Sequence, residues 1–380
     1  MKGFAIFVTI VIIIYIILNV SVWIWIRHIF QLSGQALTFL RVLFIITVFF
    51  FPIGRALKYY STHPLSLGIQ VAGEIWPGLL YWLFLIACLT LVLKLFLAGF
   101  HLETTDKWLV NHSHILGSVI LTVLINTLIY GFFHARNFQV KYLDIELNRS
   151  EYPSFKYNIV QLSDLHLDTI RTVKWWEKIV TEVNSLHPDI IVITGDIIEN
   201  KAHNLEPFLD GFQRLSAHLG VYATTGNHEF YIGTDEFDSY FKNTHIQILR
   251  NTTIQPDDVL GIVAMDDSTG YRSFGDSKPD LKRLISDLPQ NLPKILLYHT
   301  PRRVEEAMET GIDLQLSGHT HCGQMWPFGY FVRILYKYSC GYYQIGRMHL
   351  YVNPGTGFWG PPFRVGTDSV IAAIQFSNQP

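Results

Sequence analysis

Cysteine is scarce in this 380-residue sequence, with three residues in all. They stand at 88, 322 and 340, without the pair spacing of a metal knuckle, and Cys88 lies inside an apolar run, so no disulfide framework is expected. An excess of either charge is also lacking. With 29 Lys and Arg against 31 Asp and Glu, the formal net charge is -2, which gives a polyanion such as nucleic acid nothing to be drawn to. Internal repeats, low-complexity tracts and Gly/Ser linkers are absent too. What the chain has in abundance is apolar surface, 49% of its residues, and the excess lies before about residue 134. That unevenness implies a membrane part followed by a soluble part.

The first apolar run, Gly3 to Ile26, is long enough to cross a hydrocarbon core. It is too long for the apolar region of a signal peptide and no small-residue cleavage site follows it, so it reads as a span. Further runs cover about Leu37 to Ile53, Ile75 to Phe96 and Ile115 to Phe133, with Trp and Tyr near several ends. The count is about four transmembrane helices within residues 1–136, the second being short and carrying Arg41. An even count puts the N-terminus and the soluble part on one side. That side would hold Lys2, Arg55, Lys58, Arg136 and Lys141 against Arg27 and Lys107, a bias towards the cytoplasm that Arg41 and Lys94 weaken. The expectation is a multi-pass membrane protein with a cytoplasmic soluble domain. His28, His101, His112, His114 and His134 sit near span ends without i, i+4 pairing, as interfacial residues do.

From residue 137 to 380 strand-like runs alternate with helix-length segments, the pattern of a single α/β domain. Strands are expected at Asn158 to Leu162, Ile190 to Thr194, Val221 to Thr225, Val259 to Met265, Ile295 to Tyr298, Leu314 to Leu316, Leu350 to Val352 and Val370 to Phe376. Helices are expected at about Val173 to Leu186, Pro207 to His218, Asp235 to Lys242, Pro279 to Leu288 and Arg302 to Thr310.

Polar clusters follow directly on several strands, where open α/β sheets place their ligands. They are Asp164-Leu165-His166, Gly195-Asp196, Gly226-Asn227-His228-Glu229, His299 and Gly318-His319-Thr320-His321. Any one alone is an ordinary turn or capping group. As an ordered set they are costly to bury unpaired, and a shared metal centre is the simplest way to satisfy them.

The order D-x-H, GD, GNH[DE], H and GHxH resembles the calcineurin-like metallophosphoesterases over about residues 155 to 376. SDLH, GNHE, YHTP and GHTH, with Asn353-Pro354-Gly355 and Arg364 further on, are most similar to its bacterial, membrane-anchored branch. The resemblance implies a four-layer αββα sandwich. It also implies that Asp164, His166 and His321 hold one metal, that Asn227, His299 and His319 hold a second, and that Asp196 bridges them. His228 would be the general acid, oriented by Glu229 or Glu199. Cys322 departs from the Gly expected after GHTH; it reads as a small replacement, the alternative being a thiol beside the metal cage that binds metal or oxidises. Asp266-Asp267 ends a strand and reads as a turn, the alternative being a pair that touches the site.

Mixed imidazole and oxygen ligands suit Mn, Zn, Fe or Co better than Ca, so two divalent transition ions are the expected cofactors. Such a pair generates hydroxide at neutral pH and neutralises phosphoryl oxygens during in-line attack. The expected activity is hydrolysis of a phosphodiester or diphosphate, in a phosphorylated small molecule or a lipid-linked or cell-envelope substrate. The expected partners are that substrate and membrane lipid, with neither nucleic acid nor an obligate protein partner. Met325 to Phe328 and Tyr330 to Val332 could form an acyl-chain lip or pack ordinarily. The alternative is a non-catalytic sensor or scaffold that binds a phosphorylated ligand. Its signature would be a missing ligand or acid, and all eight positions are filled.

Overall fold

The computed structural model describes residues 2–58, 60–61 and 63–379. Two compact units emerge, Met1–Gly131 with Gly360–Pro362, and Phe132–Trp359 with Phe363–Pro380.

The first unit is helical throughout. Helices α1 (Lys2–Ile29), α2 (Gly34–Leu57), α3 (Pro64–Gly99) and α5 (Ser113–His134) are joined by short turns and by the polar α4 (Glu103–Asn111). Four of these five are long and apolar enough to cross a membrane. In hydrocarbon a helix satisfies its own backbone groups, so an uninterrupted apolar run has no competing open structure. Ile10, Ile13, Ile17, Ile24, Val42 and Ile46 face outwards, a surface that suits lipid and not water. Helix α3 begins earlier than its apolar run. Its 36 residues are about 54 Å long, and the extra N-terminal turns carry buried Ser66, Gln70 and Glu74. There Glu74 pairs with Lys58 at 2.7 Å. A Cβ on Gly73 would lie 2.5 Å from the Phe50 carbonyl, so glycine sets how closely α2 and α3 cross.

The second unit is built on two mixed six-stranded sheets. The first runs β1 (Phe138–Glu146), β12 (Ser369–Asn378), β2 (Phe155–Leu162), β3 (Ile190–Thr194), β4 (Gly220–Thr224), β5 (Ile246–Ile248). The second runs β10 (Gly341–Ile345), β11 (Met348–Val352), β9 (Leu314–Ser317), β8 (Lys294–Tyr298), β7 (Gly261–Met265), β6 (Thr252–Ile254). Strands β2 to β5 are parallel in register order, as are β7, β8 and β9. Parallel strands covered on both faces need apolar residues at every position, and β3, β7 and β8 are buried throughout.

Three apolar cores separate four layers, the architecture the sequence implies. Ile159, Val192 and Tyr222 of the first sheet meet Ile262, Ile295 and Leu316 of the second. Outside the first sheet, α6 (Val173–Ser185), α7 (Leu209–Arg214) and α9 (Thr234–Phe241) bring Trp176, Phe212 and Phe237 onto Ile191 and Ile193. Outside the second, α10 (Leu281–Ser286) and α11 (Val304–Glu309) bring Leu281 and Val304 onto Val263 and Leu296. The remaining helices, α8 (Asn227–Ile232) and α12 (Gly329–Leu335), lie outside these layers and belong to the site.

Candidate metal centre

Because β2, β3 and β4 are parallel neighbours in one sheet, and β8 and β9 in the other, the polar residues that follow each strand emerge at one end of the sandwich. Asp164 and His166 follow β2, Asp196 follows β3, and Asn227 and His228 open α8 after β4. His299 follows β8, and His319 and His321 follow β9.

All eight residues that the sequence singles out come together. Asp164, His166 and His321 form one cluster, and Asp196, His299 and His319 another, each with ligand atoms within 4.8 Å of one another. In the first, His166 Nε2 and His321 Nε2 are 3.1 Å apart and His321 Nε2 lies 3.4 Å from Asp164 Oδ1. In the second, His299 Nε2 is 3.1 Å from Asp196 Oδ2, and His319 Nδ1 is 3.2 Å from His299 Nε2 and 3.0 Å from Asn227 Oδ1. Asp196 Oδ2 is also 3.7 Å from His166 Nε2, so this carboxylate faces both clusters.

The donor chemistry fits two cations. His299 Nδ1 meets the Thr194 carbonyl at 2.7 Å, an acceptor only, and His166 Nδ1 meets Glu199 Oε2 at 2.9 Å. The His299 ring in its neutral form thus carries its proton on Nδ1 and turns an Nε2 lone pair towards the Asp196 carboxylate, and His166 also turns Nε2 towards Asp164 and Asp196, an arrangement that a shared positive charge satisfies.

The backbone is bent to make this possible. Asp164, His166, Asp196, His319 and His321 all have φ between 47° and 72°, the left-handed region that non-glycine residues avoid. Such strain, about 1–3 kcal/mol per residue, persists where surrounding structure over-determines it. Here the restraint is visible. The Glu229 carboxylate accepts N–H bonds from Asp196, Ile197, Ile198 and Gly226, tying the β3 loop to the β4 loop. Asp196 Oδ1 accepts from His228 N, and Asp164 accepts from His319 N. A side chain on Gly226 would run into the Asp196 carboxylate, and one on Gly318 into Ser163 and Asp164.

Electrostatics follow from this enclosure. Burial alone would push the Asp196 carboxyl up, but the facing imidazoles of His299 and His228 hold it well below the usual carboxylate range. Burial opposes charge on His299 and His228 as well. Asp196 lifts His299 well above the ordinary imidazole value, and Asp196 with Glu199 raises His228. His321 goes the other way, held well below by burial, by His166 and by Arg364. Arg364, buried and brought down to about 10 by desolvation, donates to the Pro354 and Gly357 carbonyls and stands 3.3 Å from His321 Nδ1.

Of the two acids expected beside His228, Glu199 is the one there. Its carbonyl is 2.9 Å from His228 Nδ1 and its carboxylate 3.5 Å, whereas Glu229 serves the backbone. Asp266 pairs with Arg250, while Asp267 accepts from Thr269 N as a turn residue does and also from the hydroxyl of Thr300, the neighbour of His299, so it borders the site as well. Two features went unseen in the sequence. Tyr336 places its hydroxyl 2.8 Å from His319 Nε2. Cys322 is joined to Cys340 in a disulfide with Cα atoms 5.0 Å apart, which corrects the expectation of unpaired cysteines. Their 18-residue separation is no motif; the chain between them folds out as α12 and returns.

Comparison with known proteins agrees with this geometry. The family profile of the calcineurin-like phosphoesterases matches residues 157–323. A metallophosphoesterase of Aquifex aeolicus is 32% identical over 225 residues, covering 57% of this chain and 84% of that protein. One from Campylobacter jejuni is 34% identical over 245 residues, 63% of this chain and 64% of its own length, so the chain spans just under two thirds of that relative. A Danio rerio protein named as a transmembrane protein with a metallophosphoesterase domain is 29% identical over 314 residues, 78% of this chain and 70% of that one. The chain belongs to the calcineurin-like phosphoesterase family.

Proposed function

We propose that this chain is a membrane-anchored hydrolase that cleaves a phosphodiester or diphosphate bond in a lipid-linked substrate with the help of two divalent metal ions. The observation that carries it is the position of Asp196, one carboxylate facing two separate ligand clusters. Asp164, His166 and His321 would hold one ion and Asn227, His299 and His319 the other, with Asp196 within reach of both; the nitrogen and oxygen donors suit Mn, Zn or Fe. Such ions supply positive charge against the phosphoryl oxygens and acidify water for in-line attack.

The protein's own part is to position and protonate. Buried His228 keeps Nδ1 on the Glu199 carbonyl, and against the opposing effect of burial the carboxylates of Asp196 and Glu199 raise its proton affinity, which suits it to give a proton to the leaving oxygen. A lipid-linked substrate is supported by the four apolar helices, which keep the hydrolase beside headgroups. The disulfide bears on which face this is. Structural disulfides persist in oxidising compartments, and that observation outweighs a nearly balanced count of basic residues, so we place the second unit on the extracytoplasmic face. Fusing alkaline phosphatase or β-galactosidase after Pro380 in a bacterial host tests this; activity of the β-galactosidase fusion alone would return the unit to the cytoplasm.

The test of function compares wild type, His228→Ala and Asp196→Asn in detergent with manganese, against an aryl phosphodiester and a panel of lipid-linked diphosphates. Turnover that depends on metal and is lost in both variants is expected. Two bound ions with no turnover above the variants would favour a scaffold that binds phosphorylated ligands.

A further inference from the structure

Trp326, Phe328, Tyr330, Phe331, Ile334 and Leu335 are all exposed, Ile334 to 80% and Leu335 to 71%. Among the described residues in the rest of the second unit, seven other large apolar side chains are exposed, so nearly half fall within ten residues. Helix α12 does not need them for its own packing, since Val332 alone is buried. Charge along this stretch of chain is basic, although Lys337 pairs with exposed Glu305 of α11 at 2.8 Å. No Asp or Glu occurs between Asp313 and Asp368, while Arg333 and Lys337 are exposed on and beside α12. Aromatic, aliphatic and basic side chains together suit the boundary between anionic headgroups and acyl chains.

We propose that this segment docks in the interface of the bilayer that the chain's own helices cross. A bilayer is the partner the unit cannot leave. Helix α5 ends at His134 and β1 begins at Phe138, so three residues, at most about 10 Å of chain, intervene. The segment's base is fixed to the metal centre. Cys322, next to His321, is bonded to Cys340, Thr320 Oγ1 donates to the Ser339 carbonyl, and the Tyr336 hydroxyl reaches His319. Docking therefore presents the centre to phosphorus at headgroup depth. That consequence rests on the phosphoesterase reading, but the docking itself does not.

The test uses the full chain in phosphatidylcholine/phosphatidylglycerol vesicles, with Cys88→Ser and the disulfide intact. An environment-sensitive nitrobenzoxadiazole label is placed at Ile334→Cys and, as a control, at exposed Lys242→Cys. Blue-shifted emission quenched by doxyl-labelled lipid is expected at 334 and not at 242. Water-like, unquenched emission at 334 overturns the proposal. So does emission that is shielded yet unquenched, because a second copy of the chain would then be the cover. In the same vesicles, Ile334→Glu with Leu335→Glu should lower turnover of a lipid phosphodiester at least tenfold while an aryl phosphodiester in water keeps its rate; equal lipid turnover removes the docking from substrate access. If wild type hydrolyses neither ester, the phosphoesterase reading fails, and quenching at 334 still decides the docking.

Discussion

Replacing Glu229 by Gln tests whether the centre is held by its backbone clamp. Oε2 accepts from Asp196 N at 3.0 Å and Gly226 N at 2.7 Å, and Oε1 from Ile197 N at 2.8 Å and Ile198 N at 3.3 Å. However the glutamine amide is turned, its NH2 confronts two backbone donors in a fully buried site. Two backbone N–H groups are left unsatisfied, at about 1–3 kcal/mol each, so a cost of about 2–6 kcal/mol is expected. For a unit of this size that lowers Tm by about 10 °C. Because the freed amides flank Asp196 and Asn227, metal uptake should fall with it. Thermal unfolding in detergent and metal content after gel filtration measure both. A Tm within about 2 °C of wild type, with two ions retained, would refute the clamp.

Three further outcomes are expected. Metal binding should strengthen about tenfold per pH unit around neutrality, since His299, held charged by Asp196, must release a proton while depressed His321 has none to give. Titration calorimetry in buffers of different ionisation enthalpy reads that proton, and a pH-independent affinity would exclude it. Tyr336→Phe should weaken metal affinity by about 10–100-fold in chelator competition by removing the partner of His319 Nε2, with Tm nearly unchanged. Cys340→Ala should cost about 3 kcal/mol by opening the 18-residue link, seen as a lower Tm that reductant reproduces in wild type and does not add to in the variant.

The central strands were legible because burial on both faces leaves them few polar positions, so Ile190 to Ile193 and Ile295 to Tyr298 stand out as short apolar runs. Strand β1 was not. At the sheet edge, Phe138–Glu146 carries the polar and apolar alternation of a strand, but only Ile145 is buried and the stretch directly follows the last apolar run, where it reads as connecting chain. The helix expected from Pro207 to His218 shrinks to a tight turn and Leu209–Arg214, where Pro207 cannot continue an α-helical hydrogen-bond ladder. Site residues were legible for a different reason. Each follows a buried strand, and strand order fixes where they meet. Glu229 misled because adjacency in sequence is not adjacency in space. Successive helical residues point about 100° apart, so Glu229 turns to the β3 loop while Glu199, from that loop, reaches His228.

The disulfide gains meaning beside the backbone it anchors. His319, His321, Cys322 and Gln324 all have positive φ, so most of a six-residue stretch sits in a conformation that L-residues avoid. At about 1 kcal/mol or more each, that stretch would relax if its ends were free. It is held before the strain by β9, and within it by Arg364 beside His321 and by Cys340 bonded to Cys322. The cross-link and the strain are therefore two parts of one arrangement. A Gly at 322 would need less restraint there, since glycine enters the left-handed region without penalty, whereas cysteine at that position is tolerable because it is also the anchor.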